Sequence, residues 1–254
     1  YKVSEEEKQD IYEELHAYSR HPENFEPEVR QALKNLPGRF DDLKKVLRWS
    51  EMTFAHDMPG KNSSKGLEGG GETTKALIKA LQGVQESVVI QSPYLIMPEG
   101  GIEFFEELVQ RGVEVKISTN SLASTDNLQA FSGYYKQRKD ILDAGIQVFE
   151  YKPAPAIQER LIERYQAIEK EVPTFAIHAK SMVIDHQTLF VGTFNLDPRS
   201  ANLNTEIGVI IKDGPLAKKV EESILVDMSA ENSWKAAESP DSEAPFMKRC
   251  KVFF

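Results

Sequence analysis

The chain is predicted to adopt an α/β fold: a mixed β-sheet flanked by helices on both faces, an αβα sandwich, with a helical arm ahead of it. Three observations predict this. From Glu72 to Tyr151 helix-period segments alternate with short β-rich apolar runs, the order that builds a sheet covered on both sides. Beyond Lys180, two β-rich runs flank Asp185-His186-Gln187-Thr188, a turn-forming stretch, and read as a hairpin. Before Glu51 the chain reads only as short, charged helices.

The elements follow in order. Residues 4–19 form a charged amphipathic helix, with Ser4 as N-cap, Glu6 and Glu7 in the first turn, and Ile11, Leu15 and Tyr18 as its apolar edge. Glu28–Leu36 and Phe40–Trp49 read as two further helices split by Pro37-Gly38. This arm, residues 1–50, is either a connector to another domain or a cap on its own. Glu51–His56 is a strand, and the Gly/Ser/Lys-rich stretch Pro59–Gly71 is a loop that lacks a G-x4-G-K-[ST] phosphate cradle. Lys61 and Lys65 in that loop are candidate contacts for an anionic head group. His56-Asp57 has the residue types of a metal pair, but no partner cluster accompanies it.

Helices are expected at Glu72–Gln82 and Gly101–Gln110, and from an Asp126 N-cap to Asp143, where Gly145 stops the helix. Strands are expected at Ser87–Gln91, Val113–Ser118 and Ile146–Tyr151. Ligands of such sheets bind beyond the strand C-terminal ends, which makes Ser92, Tyr94 and Asn120 candidate substrate-binding residues. Ala156–Lys170 is helix-prone and polar. Thr174–Ile177, Ser181–Ile184, Leu189–Gly192 and Ile207–Ile211 read as strands, and Pro215–Met228 as a last amphipathic helix. After Glu231 Ser, Pro, Glu and Ala dominate, so residues 233–254 are expected to be a disordered tail behind a folded domain at 51–232.

The chemistry concentrates in His178-Ala179-Lys180, Asp185, Gly192-Thr193-Phe194-Asn195 and Glu206, the pattern H-x-K-x4-D-x6-G-T-x-N with a carboxylate beyond it. Residues two apart in an extended segment share a face, so His178 and Lys180 are expected side by side. A hairpin brings Thr193 and Asn195 back beside them. Imidazole can attack phosphorus to form a covalent phosphoenzyme, provided its second nitrogen is held by an acceptor. Glu206 is the candidate holder. Lys180 supplies a point charge for a phosphate oxygen, and Thr193 and Asn195 can donate to oxygens where charge develops.

This segment resembles the HKD motif of the phospholipase D superfamily, with Thr193 where serine is more common. The run Asn195–Glu206 is similar to the bacterial cardiolipin synthase branch. So are Ser92-Pro93-Tyr94, Arg111-Gly112-Val113, Thr119-Asn120-Ser121, Ser124-Thr125-Asp126 and Tyr134-Tyr135-Lys136-Gln137-Arg138. The resemblance implies a phospholipase D-like fold over residues 51–232. It also implies a reaction in which one motif histidine becomes phosphorylated and that of a second motif protonates the leaving alcohol, without a metal or cofactor. Asp185 is implied to support the site rather than to attack. His16, His21, His56 and His186 all lack the pattern, so the chain holds one motif where the chemistry wants two imidazoles. The expectation is therefore a C-terminal half of a two-motif protein, or a homodimer.

Three functions follow: a cardiolipin synthase-like phosphatidyltransferase or hydrolase; a metal-independent nuclease or phosphodiesterase homodimer; and a non-catalytic half-domain that binds another chain. The net charge of −9 and pI of about 5.2 weigh against nucleic acid as partner and give no general attraction to anionic lipid. Peripheral membrane contact would have to be local, as through Lys248–Phe254. Cys250, the one cysteine, excludes an intrachain disulfide framework. Bacterial cytoplasm and envelope both remain open as locations, with membrane association expected of a full-length relative.

Overall fold

The computed structural model describes residues 4–21, 31, 36–61, 70–162 and 173–252. The chain divides into two units, Tyr1–Trp49 and Ser50–Phe254. In the first, α1 (Glu5–Arg20) starts at a complete capping box: Ser4 Oγ accepts from Glu7 N and the Glu7 carboxylate accepts from Ser4 N. None of its residues is buried. α2 (Leu36–Lys45) contains Pro37-Gly38 rather than being split by it, because proline is compatible with a first helical turn, where its missing N–H costs nothing. The expected helix Glu28–Leu36 falls almost wholly outside the described residues.

The second unit holds β1 (Glu51–His56), α3 (Glu72–Gln82), β2 (Ser87–Gln91), α4 (Gly101–Gln110), β3 (Glu114–Asn120), α5 (Leu128–Asp143), β4 (Gln147–Tyr151) and the short α6 (Gln158–Ile162). These are followed by β5 (Ser181–Ile184), β6 (Thr188–Gly192), α7 (Pro198–Asn202), β7 (Ile207–Lys212), α8 (Gly214–Asp227), β8 (Ser233–Lys235) and α9 (Phe246–Val252). The strands form one mixed eight-stranded sheet, ordered β1-β7-β6-β5-β2-β3-β4-β8. β2, β3 and β4 are parallel, linked by α4 and α5, and the remaining pairings are antiparallel.

Alternation along β2 shows both faces in use. Val88 and Ile90 join α3, α4 and α5 in one core, whereas Val89 joins Val183, Leu189, Ala217 and Ile224 beneath α8. The αβα sandwich is thus the observed fold.

Three further expectations need correction. Asn127, not Asp126, caps α5, with its Oδ1 accepting from Ala130 N at 3.0 Å. Thr174–Ile177 is not a strand: Ile177 N donates to Asn120 Oδ1 at 2.7 Å and its carbonyl accepts from Asn120 Nδ2 at 2.9 Å, so a side chain replaces the ladder partner. The tail is ordered through Val252. β8 pairs with β4, Ala236, Ala244 and Val252 are buried, and Asp241 takes both terminal nitrogens of Arg138 at 2.7 Å. Its polar composition hid a few small apolar anchors and one bidentate ion pair.

Candidate active site

Strand register brings distant segments to one end of the sheet. β5 runs antiparallel to β2 with Ser181 opposite Gln91, so the approach to β5, His178 to Lys180, lies beside the C-terminal end of β2. β6 returns with Val191 opposite Ser181, and Gly192 stands opposite Gly208. That delivers Thr193 and Glu206 to the same end. A Cβ on Gly208 would strike the Phe190 ring, so glycine is required where β6 and β7 approach there.

His178 is exposed and Lys180 half-buried. Lys180 Nζ lies 3.3 Å from both ring nitrogens and donates to the His178 carbonyl at 2.8 Å. The expected side-by-side pair is therefore formed. Burial pulls the Lys180 pKa below its usual value, while Glu206, Asp126 and Asp197 pull it back up. The Lys180 ammonium thus feels three carboxylates while it lies beside an exposed imidazole.

Glu206 does not hold the imidazole. Its buried carboxylate accepts the Thr193 hydroxyl, whose oxygen in turn accepts from Ile207 N at 3.0 Å. The β6–β7 register sets Thr193 beside Ile207 and so places its hydroxyl, not the ring, within reach of the carboxylate. Asn195 lines a cavity of about 330 Å³ next to the motif, together with Tyr94, Asn127, Asp197 and Asn204. Its Oδ1 is buried and has no hydrogen-bond partner.

The other sequence candidates fall into place by their bonds. The Tyr94 hydroxyl faces Asp126 at 3.3 Å, and burial followed by the Asp126 charge raises its pKa. Ser92 is buried. Its hydroxyl donates to Tyr94 O at 2.7 Å and accepts from Leu196 N at 3.1 Å, so it shapes the site's wall rather than meeting a ligand. Asn120, also buried, fixes Ile177 and thereby the entry to His178. Lys61 is unavailable to a head group: its ammonium is buried against Asp57 and donates to Ser200 O at 2.7 Å. Lys65 lies outside the described residues.

Asp185 is not at this end of the sheet. It follows β5, five residues and roughly 16 Å of strand from Lys180. Its carboxylate accepts from the backbone N–H groups of Gln85, Glu86 and Ser87 at 2.8–3.2 Å. Asp185 and His186 both have positive φ, the conformation a tight hairpin requires. The motif aspartate therefore ties the hairpin turn to the start of β2.

Sequence reasoning weighed Asp57 only as half of a metal-type pair and missed its role as a clamp. This buried carboxylate binds Lys61, Thr73 N at 2.9 Å and Glu206 N at 3.0 Å, while Asp57 N donates to Glu206 O at 2.9 Å. Burial pushes its pKa up, but the hydrogen bonds from Lys61, Thr73 and Glu206 outweigh that and hold it below the usual range. A Cβ on Gly71 would collide with this carboxylate, which explains a glycine at the end of the loop. The available signal was a polar pair, His56-Asp57, at a strand end. Among the described residues no group of three or more His, Cys, Asp or Glu side chains is placed to hold a metal ion.

A family model described as a cardiolipin synthase, PLD-like domain matches residues 77–227. The chain belongs to this phospholipase D-like domain family. Cardiolipin synthase C of Escherichia coli (strain K12) is 31% identical over 179 residues, covering 70% of this chain and 37% of that protein. The PLD-like chain thus spans well under half the length of that relative. Among solved structures, the phospholipase D family member Nuc from Salmonella typhimurium aligns with a TM-score of 0.51 at 16% identity, over 74% of this chain and 98% of that one. The phosphatidylserine synthase of Haemophilus influenzae Rd KW20 aligns at 0.52 and 14%, over 82% and 46%. At these identities the two structures show a shared fold.

Proposed function

We propose that this domain supplies one half of a phospholipase D-type site that transfers or hydrolyses a phosphatidyl group through phosphohistidine, in a reaction similar to cardiolipin synthesis. The observation that carries the reading is the Lys180 ammonium against both ring nitrogens of an exposed His178, at the sheet end where Thr193 and Glu206 meet. One imidazole nitrogen attacks phosphorus and the bond to the leaving alcohol breaks. That alcohol takes a proton from a second histidine, which then removes a proton from water or an acceptor alcohol attacking the phosphohistidine. Lys180 neutralises a non-bridging oxygen, and the Thr193 hydroxyl, on leaving Glu206, donates its proton to another. The second histidine comes from another half-domain carrying an HKD motif, or from a second copy of this chain.

The test is phosphatidyl transfer assayed in EDTA with the chain alone and with an added first-motif half. Turnover only on addition supports the half-site. Hydrolysis of DNA by the chain alone would replace it with a nuclease homodimer, and inactivity in every arm with a binding half-domain. In the complete enzyme an acid-labile, base-stable phosphoadduct maps to His178 if it is the nucleophile and to its counterpart if His178 is the acid.

A further inference from the structure

Away from the motif, α5 and α9 enclose a cavity of about 560 Å³ lined by Gln129, Ser132, Tyr135, Lys136, Lys251 and Val252. Leu128, Ser132, Tyr135 and Lys136 are spaced along one face of α5. Among the described residues, neither the Lys136 nor the Lys251 side chain makes a hydrogen bond or ion pair, and none of those lining the cavity carries a carboxylate. In a chain of net charge −9, two ammonium groups thus line one cavity. Beside it, the first turn of α9 exposes Phe246 (67%) and Met247 (64%), with Arg249 over the Phe246 ring at 5.8 Å. Apolar side chains projecting beside cations form the pattern that enters a charged membrane interface.

The groove is rigidly built and leads to the catalytic end. Ser132 Oγ donates to Val252 O at 2.9 Å, and Val252 is buried. Lys248 Nζ donates to Ala123 O and Thr125 O at 2.8 Å, fixing α9 to the loop that carries Asp126. Gln129 lines both this cavity and the one that reaches Asn195.

We propose that the α5–α9 groove docks the domain on an anionic phospholipid bilayer, with one phosphate-bearing head group between Lys136 and Lys251 and with Phe246 and Met247 in the interfacial layer. The cations match a lipid phosphate, and the adjacent apolar pair selects a bilayer over a free phosphate. The claim is independent of turnover and is read without it.

The full chain is sedimented with phosphatidylcholine vesicles, with and without phosphatidylglycerol. Binding is expected only with the anionic lipid, weakening as salt rises. K136Q and K251Q should each lower partitioning about fivefold, and F246S/M247S should also lower it, all with unchanged circular dichroism. K218Q/K219Q on α8 should bind as the wild type does. Equal binding to both vesicle types, or undiminished binding by K136Q/K251Q or by F246S/M247S, overturns the proposal. So does a dimer by sedimentation equilibrium that K136Q/K251Q dissociates, since the groove would then seat a second copy.

Discussion

The Thr193 hydroxyl is held between two partners, giving its proton to Glu206 and accepting from Ile207 N. Its one proton is therefore committed to Glu206 and must swing to a phosphate oxygen to stabilise developing charge there; losing such a donor typically costs ~10²–10³ in rate. Thr193→Ala is expected to lower kcat of the completed enzyme by about that factor with little change in KM, while Thr193→Ser retains most activity. Glu206→Gln keeps the shape but can turn an amide N–H toward the hydroxyl, so kcat should fall with no shift of melting temperature. Steady-state kinetics on the completed enzyme checks both. Lys180 acts by charge, so Lys180→Met should raise KM and lower kcat together.

At the scale of elements, two carboxylates join segments far apart in sequence. Asp57 clamps the backbone of Glu206 and sits in a buried ion pair with Lys61, with side-chain exposures of 0% and 4%. Asp57→Ala strands a buried ammonium and should cost about 3–5 kcal/mol in urea denaturation. Asp185 caps three N–H groups at the start of β2 from a residue at φ 49°. Asp185→Ala loses a charged acceptor and a residue tolerant of that conformation, about 1.5–3 kcal/mol. Asp185→Asn keeps the conformational tolerance and should cost less. In both variants kcat per folded molecule should stay near wild type, the outcome that separates a structural aspartate from a catalytic one.

Across the whole molecule, Arg138 joins the tail to the sheet. It grips Asp241, packs over Phe131, Tyr134 and Tyr135, and lies 3.2 Å by Nε from Glu150, though not aligned as a donor to it. Burial pushes the Glu150 carboxyl up to about 7 from 4.5, against the opposing Arg138 charge and the Tyr134 hydroxyl. Between those values the folded protein holds a proton that the unfolded chain releases. Stability therefore falls as pH rises from about 4.5 to about 7 and levels off above. Glu150→Gln should flatten that stretch of the melting-temperature profile, and an unchanged slope would sink the assignment. Truncation before Ser239 removes Asp241 and should lower the melting temperature through the same residue.

The local pattern fixed most elements and the motif. β-rich apolar runs set β2 to β7, helix-period runs set α3, α4, α5 and α8, and the spacing of His178, Lys180, Thr193 and Glu206 located the site, because these signals are local in the chain. Only tertiary structure decided what depends on register and burial. It sent Asp185 to the opposite end of the sheet, turned Glu206 to Thr193, withdrew Lys61 into an ion pair, made Asn120 a substitute ladder partner and folded the tail onto Arg138. Apart from the Lys61–Asp57 pair, four residues apart and closed over by Ser200 O from the far end of the chain, each of these outcomes rests on a partner at least thirteen residues away, or on the direction of a strand, and no spacing along one segment encodes either.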